Sequence, residues 1–109
     1  MDSRQQRVAK NEALFRQVNE RIEEINEELP GGSESDFLCE CGDENCTEPV
    51  RLTLAEYEQV RSQPTHFAIA VGHEVIDVER VVLENDRFAV VEKFTGEAER
   101  IAAETDPRS

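Results

Sequence analysis

The stretch "DFLCECGDENCTEPV" (residues 36–50) holds all three cysteines of a 109-residue chain, Cys39, Cys41 and Cys46. Phe37, Cys39 and Cys41 alternate with Leu38 and Glu40, a period of two that reads as a short strand with both thiols of the pair on one side. "GDEN" then reads as a turn, opened by Gly42, that folds Cys46 back toward them, and Val50 and Leu52 begin a return strand. A disulfide, a nucleophile and a metal site compete for these thiols. In a reducing compartment clustered cysteines more often bind metal or do redox chemistry than pair, and the odd count would leave one thiol outside any disulfide.

Structural zinc takes four tetrahedral ligands, usually Cys thiolates and His nitrogens, so CxCx4C supplies three of them. Two histidines are available. In "HFAIAVGHE" (66–74), His66 falls in register with Ala68 and Ala70, whereas His73 has the parity of Phe67, Ile69 and Val71, the side expected to face the core. His73 also follows Gly72, which is free to adopt positive φ and turn the imidazole inward. The expected metal site is therefore Cys39, Cys41, Cys46 and His73, holding one structural Zn²⁺ per chain. Three thiolates around Zn²⁺ would leave a local charge of −1 beside Glu40, Asp43 and Glu44, and backbone N–H groups of the knuckle are expected to donate to the sulfurs.

Outward from this segment, residues 4–29 read as an amphipathic helix. Val8, Phe15, Ile22 and Leu29 recur every seven residues with Val18 and Ile25 between them, and only Asn11 breaks the stripe. Such a stripe packs either on the protein's own sheet or on a second helix, and Asn11 would set its register. "PGGSES" (30–35) ends the helix. "TLAE" (53–56) is a capping box opening a helix that runs to about Arg61. Residues 66–71 alternate again, and "ERVVLE" (79–84) and "FAVVEK" (88–93) read as a hairpin joined by "NDR". The fold class is α+β: a long N-terminal amphipathic helix, then a small antiparallel sheet with one inserted helix, pinned by zinc. The organisation is residues 1–35 as helix and turn, 36–94 as the zinc-binding domain, and 95–109 as a weakly ordered or helical tail.

Net charge is −13, from 25 acidic and 12 basic side chains, a sign that repels nucleic acid and anionic membranes. No apolar run is long enough to span a bilayer and the N-terminus lacks a signal-like apolar block, which points to the cytoplasm. Two enzymatic motifs fail on inspection. "HEVID" (73–77) begins like the HExxH of zinc proteases but has Asp77 where the second histidine belongs. Cys46, His73 and Glu74 can be drawn as a nucleophilic set, yet thiols shared by a metal are not available to attack.

Taken together, "KNEALFRQVNERIEEINE", "FLCECGDENCTEPVRLTLAEYEQVR", "PTHFAIAVGHE" and "ERVVLENDRFAVVEK" resemble a group of short, acidic actinobacterial proteins with a CxCx4C…GHE pattern. The resemblance covers nearly the whole chain apart from its tails, is compatible with a metal site at positions 39, 41, 46 and 73, and implies no activity. Ala70 and Val71 stand where the pattern would have a proline before the glycine. The expectation is a non-catalytic cytoplasmic interaction or regulatory module with a protein partner, and a homodimer through the N-terminal helix fits the heptads. The alternatives are a small metal- or thiol-dependent enzyme and an acidic mimic of nucleic acid.

Overall fold

The computed structural model describes residues 3–30 and 32–108. The fold is α+β, in the order α1 (Ser3–Ile25), β1 (Glu34–Leu38), β2 (Pro49–Thr53), α2 (Leu54–Arg61), β3 (His66–Ile69), β4 (Glu79–Glu84), β5 (Ala89–Lys93) and α3 (Gly96–Glu104). The strands form two antiparallel sheets. One is the hairpin β1–β2, with Phe37 opposite Val50, and the other has the order β3–β5–β4. The capping box is present in full: Thr53 Oγ1 accepts from the Glu56 N–H, and the Glu56 carboxylate accepts from the Thr53 N–H. The segment 95–109, read as a weakly ordered or helical tail, contains α3, whose first turn is capped by the Thr95 hydroxyl.

Glu40 joins the two sheets. Its backbone N–H donates to the Ala68 carbonyl at 2.8 Å, and its side-chain Oε1 accepts from the Ala68 N–H at 2.9 Å. A carboxylate thus stands in for a strand carbonyl along the edge of β3, carrying on a ladder that the chain itself leaves. Between the sheets lies a small core of Phe37, Val50, Leu52, Tyr57, Phe67, Ile69 and Val91. Phe37 and Tyr57 stack there with ring centroids 4.5 Å apart.

The heptad stripe of α1 meets this core only at Ile22, which is half-buried and packs against it. The sheet-facing side of the helix is Glu12, Arg16, Asn19 and Glu23, all buried, whereas Val18, Ile25 and Leu29 are exposed and Val8, Phe15 and Ile22 only half-buried. Distant partners make the inversion tolerable, because buried polar groups are costly only when unpaired. Lys93 Nζ lies 2.7 Å from Glu12 and 3.3 Å from Glu79. Arg16 donates to the carbonyls of Pro64 and Ala102, both at 2.6 Å, with its guanidinium 4.3 Å above the Phe67 ring. Asn19 binds both backbone groups of Leu38, accepting from its N–H at 2.8 Å and donating to its carbonyl at 2.9 Å. Asn11 likewise turns inward and donates to the Gly42 carbonyl, so it anchors the cysteine loop instead of setting a helix register.

Candidate metal centre

The cysteine loop is built by β1 and held by α1. Beyond Leu38 the chain leaves the β1–β2 hairpin, and Glu40 docks it on β3 with Cys39 and Cys41 buried on either side. Gly42 then reverses the chain at φ +83°; a Cβ there would lie 2.6 Å from Val8 Cγ1 and 2.9 Å from the Val8 carbonyl oxygen. Only glycine combines that backbone with so close a helix. A turn bond from Cys46 N–H to the Asp43 carbonyl returns the third thiol.

His73 arrives by a different route from the one its parity suggested. β3 stops at Ile69 and Val71 is exposed, so strand alternation has ended before residue 73. A turn closed by His73 N–H on the Ala70 carbonyl, with Gly72 at φ +88°, swings the imidazole to the thiols. Its Nδ1 lies 3.5 Å from Cys39 Sγ and 3.7 Å from Cys46 Sγ. Ligand atoms of Cys39, Cys41, Cys46 and His73 all fall within 4.8 Å of one another. His66 is elsewhere, its Nε2 3.0 Å from Glu92 on the outer face of the three-stranded sheet.

The surroundings suit thiolates. Each sulfur meets one backbone N–H: Ala70 for Cys39 at 3.2 Å, Asp43 for Cys41 and Glu48 for Cys46. Without a cation the thiols divide the protons among themselves. A hydrogen bond from the Cys39 thiol pulls Cys41 down to about 5, with the Asp43 N–H assisting, while that same bond and burial push Cys39 up. Burial raises Cys46 as well.

Two carboxylates around the cluster have roles their sequence positions do not disclose. Glu48 Oε2 sits 3.1 Å from His73 Nε2, leaving Nδ1 turned toward the sulfurs. A carboxylate on the far nitrogen of a ligating histidine fixes its tautomer and raises its basicity. Glu40, expected as a carboxylate beside the metal, is wholly buried and accepts from Asn19 Nδ2 at 2.8 Å and Tyr57 Oη at 2.9 Å besides Ala68. Burial pushes its pKa up against those three donors.

Beside the cluster opens a cleft of about 500 Å³ whose walls include Val8, Asn11, Cys41, Asn45, His73 and Val75. Among the described residues no helix is long and apolar enough to cross a membrane. Comparison with protein families, with curated proteins and with solved structures found no match. What defines the molecule is therefore its own geometry: an α+β fold carrying a Cys3His cluster suited to a metal ion.

Proposed function

We propose that Cys39, Cys41, Cys46 and His73 bind one Zn²⁺ as a structural pin, and that the protein is a non-catalytic cytoplasmic interaction or regulatory module. The observation that carries this reading is the spacing of the ligand atoms. Zinc with bonds of about 2.3 Å to sulfur and about 2.0–2.1 Å to nitrogen has a tetrahedral S···N edge of about 3.6 Å. The edges here are 3.5 and 3.7 Å. Four protein ligands leave no open position to activate water, and the N–H donors spread the charge of three thiolates. The small core between the sheets makes such a pin valuable to stability. Reduced, clustered thiols suit the cytoplasm, and the net charge of −13 disfavours nucleic acid as a direct partner.

Metal analysis of protein purified under reducing conditions is expected to find one zinc per chain. A chelator should lower the melting temperature, and His73→Ala should weaken zinc binding far more than His66→Ala. Metal-free protein whose melting ignores the chelator would overturn the reading. The cleft that touches Cys41 and His73 favours one second reading, a metal centre that exchanges a ligand for substrate. Cobalt substitution separates the two: a structural site keeps its thiolate charge-transfer bands when azide or imidazole is added, and an exchanging site does not.

A further inference from the structure

The outward side of α1 is an apolar seam that the rest of the described chain leaves bare. Leu14 is 54% exposed, Val18 37% and Ile25 70%, and Leu29, just past the helix end, is 45% exposed. At about 100° per residue Leu14, Val18 and Ile25 lie within one narrow sector, with Leu29 following just beyond the helix, so they form a strip and not scattered exposure.

The charges beside the seam run against the helix dipole. α1 has no acidic residue in its first turn and no basic residue in its last. Arg7 and Lys10 stand toward the N-terminal end; at the other stand Glu24, paired with Arg21 at 3.5 Å, and Glu27 and Glu28 in the turn that follows, so that end is net acidic. An isolated helix is favoured by the opposite order, negative near its N-terminus and positive near its C-terminus. A polarity that is unfavourable alone becomes complementary when a second helix of the same sequence lies antiparallel to it, basic end against acidic end. In a parallel pair the same charges meet like against like.

We propose that two copies of this chain associate through α1 as an antiparallel pair centred near Val18. Leu14 of each copy then reaches the Val18–Ile25 stretch of the other, and Arg7 and Lys10 flank Glu24 and Glu28 across the seam. Lys10 and Glu24 are fourteen residues, or two heptads, apart within α1, so they share one flank, as the cross-pairs of an antiparallel coil require. The inward side chains Glu12, Arg16 and Asn19 take no part, so pairing leaves the metal cluster as it is. The inference stands independently of the metal reading.

The test uses the full zinc-loaded chain in sedimentation or light scattering. Wild type is expected at twice the 12.4 kDa chain mass at low salt, dissociating as salt rises. Arg7→Glu with Lys10→Glu, and separately Glu24→Lys with Glu28→Lys, should each raise the dimer Kd about tenfold or more. An equimolar mixture of the two variants should restore the dimer. Both reversals bring the helix into line with its own dipole, so lost mass cannot be put down to lost helix, which circular dichroism verifies. A wild-type mass of 12.4 kDa up to high micromolar concentration would overturn the proposal, leaving a different protein as the seam's occupant. Reversals without effect would remove α1 as the interface, and failure of the mixture to reassociate would refute the antiparallel orientation.

Discussion

Replacing Glu40 by alanine removes the acceptor for three donors at once, Asn19 Nδ2, Tyr57 Oη and the Ala68 N–H, at a side chain with no solvent exposure. A buried donor left without a partner costs about 1–3 kcal/mol, so three donors alone amount to about 3–9 kcal/mol. A domain of this size holds about 5–15 kcal/mol in total. Glu40→Ala is therefore expected to be largely unfolded, or to have lost most of its denaturation midpoint. Glu40→Gln separates the hydrogen bonds from the volume. Whichever way the amide is turned, its NH₂ faces at least one existing donor, Ala68 N–H in one orientation and Asn19 Nδ2 in the other, so the expected loss is about 1–3 kcal/mol. Urea unfolding of the zinc-loaded protein, followed by circular dichroism, measures both. Were Glu40→Ala to cost under about 1 kcal/mol, or no more than Glu40→Gln, the carboxylate would not be what joins the two sheets.

Glu48→Gln should weaken zinc binding about 10- to 100-fold with the fold retained, measured by competition with a chromophoric chelator, and an unchanged affinity would remove Glu48 from the site. Gly42→Ala should cost clearly more than Gly72→Ala in thermal melts, because both glycines have positive φ but only Gly42 lies against Val8, with open space at Gly72. Equal costs would mean that helix contact at Gly42 does not matter. The pH dependence should have two opposed limbs. Hydrogen bonds from Arg87 hold Glu56 down to about 2, so its contribution is present above the ordinary value of 4.5 and lost as pH falls toward 2. Burial raises Glu12 to about 8 despite Lys93, so its contribution is lost as pH rises from 4.5 through 8. Glu56→Gln should flatten the acid limb and Glu12→Gln the alkaline one in denaturant midpoints measured across pH.

What was legible in the sequence is what depends on neighbours along the chain. CxCx4C marks three thiols gathered by one turn, although β1 stops at Leu38 before the first of them, and Thr53 and Glu56 complete a cap three residues apart. The hairpin of β4 and β5 was readable as two valine-rich runs around the turn "NDR", although β4 does not alternate in burial. Selecting His73 over His66 also agreed with the geometry, though through the Gly72 turn and not through strand parity. The inner face of α1 was not legible, because hydrophobic periodicity finds a buried side only when burial is apolar. Here Arg16 donates to carbonyls 48 and 86 residues away, and Lys93 reaches Glu12 across 81. No local pattern records such pairings. Glu40 and Glu48 were opaque for the same reason, since an acidic residue in an acidic chain carries no mark of the particular donor it meets.

The long reach of Arg16 also has a temporal side. Synthesis at about 5–20 residues per second puts about 4–17 s between the making of Arg16 and that of Ala102, whose carbonyl it binds 86 residues later. Cys39 and His73 are separated by only 34 residues, so the cluster can assemble in well under half that interval. His73 precedes Ala102 by 29 residues, so the growing chain spends about 1.5–6 s with all four metal ligands made while its first helix has an arginine, and a charged inner face, still waiting for the last element.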